Sequence, residues 1–138
     1  QIERERTRPC GYLVAADQTI AIQRLRDLGV QVKALAANDV TQTWDTETYV
    51  IANEDSGSRQ DARGAISDAQ NAIRMLKVST QASPAVPSAG AFYVSLKQPL
   101  AGLVFAALEP DSQNSFAANR LLSIEGNKLL RVIKSPSL

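Results

Sequence analysis

Apolar and polar positions along the chain switch between two periods, and the switches mark the predicted elements. "GYLVAA" (Gly11–Ala16) is a continuous apolar run and predicts a buried strand. Asp17 then offers an N-cap, with Ala21, Leu25 and Leu28 spaced i, i+4, i+7 on one helical face and Arg24, Arg26 and Asp27 on the wet side. Gly29 suits a helix end, and "VQVKAL" (Val30–Leu35) alternates, with Val30, Val32 and Ala34 on one face and Gln31 and Lys33 on the other. Strand, helix and strand in so short a span predict a compact βαβ unit with a right-handed crossover.

Further along, "AANDVTQTWD" (Ala36–Asp45) reads as a loop and the β-branched "TETYVIAN" (Thr46–Asn53) as a strand. The polar stretch Glu54–Asp61 predicts a surface loop. Between Ala62 and Thr80, Ala65, Ala69, Ala72 and Leu76 fit a helix while "IRMLKVST" fits a strand; the reading taken is irregular or helical to about Asn71, then a strand from Ile73. Two prolines make Gln81–Gly90 a loop, and "AFYVSL" (Ala91–Leu96) is a strand. Pro99 opens a helix in which Leu100, Leu103, Val104, Ala107 and Leu108 form the core stripe. Ala101 stands at its margin, Phe105 lies beyond it, and Pro110 stops the helix. Asp111 or Ser112 is placed to cap a second short helix carrying Phe116, Leu121 and Leu122. "KLLRVIK" (Lys128–Lys134) is a closing strand. The prediction is an α/β chain: one small domain over residues 9–134, with the βαβ unit at its N-terminus and a mixed sheet packed by two or three helices. Residues 1–8 read as the remnant of a charged linker and residues 135–138 as a tail.

Composition narrows the function classes. With 138 residues, 44% hydrophobic and 21% charged, the chain can bury a core of its own. A net charge of +1 gives no reason to expect nucleic acid, and no apolar run reaches the length of a membrane span. The single cysteine, Cys10, cannot form an internal disulfide. The absence of histidine excludes Ser-His-Asp and Cys-His catalysis and every zinc site that contains histidine. The βα turn "GYLVAADQT" lacks the glycine patterns that cradle phosphates. A calcium or magnesium site built from carboxylates stays open, but no EF-hand-like alternation of Asp and Asn appears, and neither a cofactor nor a metal is expected on these residues.

Little candidate chemistry remains. Ser95 and Lys97 share a strand face, which matches a Ser–Lys nucleophile pair or two solvent-facing residues. Glu109, Asp111 and Asp45 are isolated carboxylates at helix ends and turns, suited to capping or solvation. Trp44, the only tryptophan, is either a recognition residue or a cover for the core edge. In "NSFAANR" (Asn114–Arg120), the amide, hydroxyl and guanidinium groups can contact a partner or hydrogen-bond within their loop. The candidate interface residues are thus Trp44, Phe105, Asn114, Phe116, Asn119 and Arg120.

The stretches "RPCGYLVAADQTIAIQRLRDLGVQV", "RQDARGAIS", "AGAFYVSLKQPLAGLVFAALEPDSQNSFAANRLL" and "RVIK" together resemble the C-terminal domain of certain bacterial zinc carboxypeptidases of the carboxypeptidase A-like family. Ser88 and Ser95 stand where such proteins would carry proline, the mark of a divergent member. That family holds its zinc with two histidines and a glutamate. No HxxE motif exists here, so no catalytic or metal role carries over to any residue. The resemblance implies a parent chain that hydrolyses peptide or amide bonds with zinc, exported to the periplasm or secreted. The present residues would be its noncatalytic accessory domain, packed beside the missing N-terminal catalytic domain.

Overall fold

The computed structural model describes residues 7–56, 74–111, 115–136 and 138. Its elements are β1 (Gly11–Val14), α1 (Thr19–Asp27), β2 (Lys33–Ala34), β3 (Thr46–Ser56), β4 (Arg74–Ala82), β5 (Phe92–Ser95), α2 (Ala101–Leu108) and β6 (Leu129–Val132), with short 3-10 turns at Ala37–Asp39 and Glu125–Asn127. The strands form one six-stranded sheet in the order β2-β5-β1-β6-β3-β4. Every hydrogen-bonded pair in it is antiparallel.

The expected strand-helix-strand order is present, but β5 is inserted between β1 and β2, so the two parallel-running strands never touch. The α2 connection repeats the device: β6 returns on the far side of β1 from β5. Two interlocked split βαβ units make the ferredoxin-like plan, here widened by the β3–β4 hairpin at one edge. Instead of the expected mixture of pairings, each strand receives an oppositely directed neighbour.

Alternation along the strands sorts side chains between two layers. Tyr12 and Val14 of β1, Val94 of β5 and Leu129 of β6 pack with Ala21, Ile22 and Leu25 of α1 and Val104, Ala107 and Leu108 of α2. On the opposite face Leu13, Tyr93, Leu130 and Val132 pack with Leu35, Ala91 and Trp44, which arrive on loops. Both helices therefore cover one face, and connecting segments cover the other. Gly11 is required where β1 meets β5, because a Cβ there would lie 2.6 Å from the Tyr93 hydroxyl and 2.7 Å from the Val94 carbonyl oxygen.

Several predicted boundaries shift for local reasons. Asp17 does not cap α1, whose N-cap position is Gln18; its carboxylate pairs with Lys128 instead. Leu28 lies past the last helical residue and is 48% exposed, and Ile22 takes its place in the buried stripe. Gly29 follows with φ +96°, as a helix end requires. The second strand shrinks to two residues because the Gln98 side chain takes the place of a strand partner. It accepts from Gln31 N–H at 2.8 Å and donates to the Gln31 carbonyl at 3.0 Å. Residues 54–56, expected in a loop, extend β3, and the strand expected from Ile73 is present as β4. The reading of residues 57–73 lies outside the described residues. No second short helix follows Pro110 among them: 115–121 is a run of turns, with Arg120 at φ 63°. The Ser115 hydroxyl organises these turns, donating to the Pro110 carbonyl at 3.1 Å and accepting from Ala118 N–H at 3.0 Å.

Candidate functional site

Polar side chains concentrate in two places, one beneath the helices and one on the opposite face. The first centres on Arg131, which is 1% exposed although it sits in the middle of a central strand. It shares the helix-covered face with Leu129, so its guanidinium points into the protein and needs partners there. Nε donates to Glu109 Oε2 at 3.3 Å and Nη1 to Glu47 Oε1 at 2.6 Å, while Nη2 donates to the Thr7 carbonyl. Tyr12 Oη donates to the same Glu109 Oε2 at 2.7 Å. One arginine thereby ties the segment before β1, the start of β3 and the residue that ends α2.

The ionisation of the tyrosines follows from this burial. Tyr12 is pushed far above the usual phenol range, first by desolvation and then by the Glu109 carboxylate. Tyr49 is raised in the same way and for the same leading reason. Its Oη is buried without a partner at hydrogen-bonding geometry, although Glu109 is near enough to contribute to the shift. Both phenols stay protonated throughout the physiological range. Such a centre holds chain segments together; it reaches solvent at the partly exposed Glu47 and at the exposed Thr7.

The second place is a polar cleft of 310 Å³ against the loop-covered face, with Trp44 in its lining. Trp44 is 7% exposed and packs edge-on against Tyr93, ring centroids 5.5 Å apart at 86°. Its main chain bridges Ala85, donating at 2.8 Å and accepting at 3.2 Å. It therefore covers the core edge and lines a concavity at once. The Asp45 carboxylate opens on the same cleft.

The remaining candidate residues are scattered. Phe105 lies on the outer side of α2, 36% exposed, with the Arg8 guanidinium 5.3 Å from its ring centroid. On the inner side Val104, Ala107 and Leu108 are buried, with Leu100 and Leu103 partly buried against the same core, as the period predicts. Phe116 is a core residue of the helix-covered layer. The Asn119 side chain donates to the Ser115 carbonyl at 2.9 Å, a local loop bond. Arg120 lines a shallow depression with Gln18 and Ser123, and Asn114 lies outside the described residues. The structure thus separates Trp44 from Phe105 and does not gather the five described candidates into one site. Ser95 Oγ accepts the Lys97 backbone N–H at 2.9 Å, a turn interaction in which the lysine ammonium has no part. Among the described residues no group of three or more histidine, cysteine, aspartate or glutamate side chains is placed to hold a metal ion. No helix among them is long and apolar enough to cross a membrane.

Glu109 is not the solvated carboxylate its position suggested: it is 4% exposed and central to the Arg131 network. The network's other members were missed by sequence reasoning. The available signal was an arginine inside "LLRV", two residues from Leu129 and so on the same face of an apolar strand. Compared with known proteins, the chain matches no family model, no curated protein and no solved structure.

Proposed function

We propose that this chain is the noncatalytic accessory domain of a zinc carboxypeptidase of the carboxypeptidase A-like family, packing against the catalytic domain that precedes it in an exported parent chain. The observation that carries the docking geometry is the path of the chain into the fold. Arg131 holds the Thr7 carbonyl, Cys10 N–H donates to the Val132 carbonyl at 2.7 Å, and Arg8 lies over Phe105. Arg8, near the start of the described residues, therefore lies beside the outer face of α2, where Phe105 and Ala106 are exposed. The resemblance of the stretches quoted above supports a peptidase as that preceding domain, and the zinc chemistry would belong to it alone.

A longer product of the same reading frame tests both parts. The upstream sequence should carry an HxxE motif and a distant histidine; a frame without them overturns the peptidase assignment. In the longer protein the amides of Gly102, Phe105 and Ala106 should gain hydrogen-exchange protection relative to the 138-residue chain, and unchanged exchange overturns the docking face. A second reading, a self-standing binding module, is favoured by the Trp44 cleft. The two readings are compatible, because the cleft and the outer face of α2 lie on opposite sides of the sheet.

A further inference from the structure

We infer that the cleft beside Trp44 is a binding site for a small neutral saccharide. This rests on the binding-module reading of the cleft and is independent of the peptidase assignment.

The walls are built rather than incidental. One is the 3-10 turn Ala37–Asp39, closed by the Asp39 carboxylate accepting the Ala36 N–H at 2.9 Å. The second is the Thr41–Asp45 segment, anchored by the two Trp44–Ala85 backbone bonds. The third is Lys134–Pro136, held in place where Ile133 N–H donates to the Asp45 carbonyl at 2.8 Å. The aromatic member is fixed by its edge contact with Tyr93. Restraint of this kind lowers the ordering cost of binding.

The side chains facing this space are chemically uncommitted. Asn38, Thr41, Gln42, Thr43 and Asp45 make no side-chain hydrogen bond to another described residue. Asp39 is the exception, being shared between the Ala36 N–H and Lys33 at 3.8 Å. Amides and hydroxyls both donate and accept, and so does every sugar hydroxyl. The small exposed part of the Trp44 indole beside them adds an apolar contact for sugar C–H groups. The carboxylates of Asp39 and Asp45 outnumber the single ammonium of Lys134 in the lining, which disfavours an anion, and an apolar ligand would strand the amides without partners. A volume of 310 Å³ is at the lower end of ligand pockets and suits a mono- or disaccharide.

Trp44 is the only tryptophan, so its fluorescence reports this cleft alone. The probes are maltose, cellobiose, lactose and diacetylchitobiose, with a neutral blocked tripeptide as the competing class. At least one disaccharide should give a saturable spectral change with Kd in the millimolar range. Asn38→Ala and Gln42→Ala should each weaken it by about tenfold or more, with the unfolding midpoint unchanged. The inference is overturned by the absence of a saturable change with every sugar, by saturation with the tripeptide alone, or by sugar binding that both substitutions leave intact.

Discussion

The Arg131 network and the Trp44 cleft lie on opposite faces of one sheet and use their polar groups in opposite ways. Beneath the helices, an arginine, two glutamates and a tyrosine hydroxyl are directed at one another and at a backbone carbonyl. Across the sheet, amides, hydroxyls and a carboxylate line a concavity and take no protein partner among the described residues. The network contains the more reactive residue types, yet its geometry is that of a structural fastener. The cleft contains weaker chemistry, left available. Buried, paired charge points to architecture; unpaired polar groups carried on an anchored backbone point to recognition.

The comparison breaks first at Glu109. Glu109→Ala removes an acceptor from both Arg131 and Tyr12 inside the protein, so it should cost about 3–5 kcal/mol in urea unfolding. A loss within the range of surface substitutions would mean that water already reaches the network. Next comes the apolar layer that seals it. Leu108, fully buried one residue before Glu109, should cost about 2–5 kcal/mol as Leu108→Ala. That loss, measured by the same unfolding assay, should be accompanied by faster exchange of the Tyr12 amide.

How much of this was legible in the sequence depends on the range of the interaction. The α2 stripe was readable because a period of 3.6 residues is local, and Val104, Ala107 and Leu108 are buried as it predicts. The α/β class was readable from the alternation of strand and helix patterns. The insertion of β5 between β1 and β2 was not, since pairing partners about 80 residues apart leave no mark on local periodicity. Val30–Leu35 looked like a full strand because nothing local announces that Gln98, 67 residues away, takes over the hydrogen bonds of Gln31. The site divides the same way. Trp44 stood out by composition, whereas Glu109 gained its meaning only when the sheet brought Arg131 beside it across 22 residues.

Alkaline pH gives the next effect in size. Tyr12 and Tyr49 have folded pKa values above the ordinary value of 10.0, so the folded state keeps protons that the unfolded chain releases. Stability should be flat in this respect up to about pH 10, then fall by up to about 1.4 kcal/mol per pH unit for each buried phenol. Tyrosinate absorbance should rise together with unfolding, and Tyr12→Phe should reduce the slope. Ionisation of both phenols in the folded state at their ordinary pKa would show the network to be wet.

The smallest effect belongs to the hydroxyl that the network does not use. Tyr49 Oη is buried without a partner at bonding geometry, so Tyr49→Phe should leave stability within about 0.5 kcal/mol of the parent or raise it. Tyr12→Phe at neutral pH should instead cost about 1.5–3 kcal/mol, because its hydrogen bond goes to a carboxylate. Equal costs for the two tyrosines would place Tyr49 inside the network.

Urea unfolding of Arg131→Met beside Gln42→Ala tests the division of labour most directly. Arg131→Met leaves Glu109 and Glu47 without their shared cation and should lower stability by about 3–5 kcal/mol. Gln42→Ala, at an exposed cleft position, should stay within about 0.5 kcal/mol of the parent. A network variant as stable as the parent, or a cleft variant that loses as much as Arg131→Met, would contradict the account.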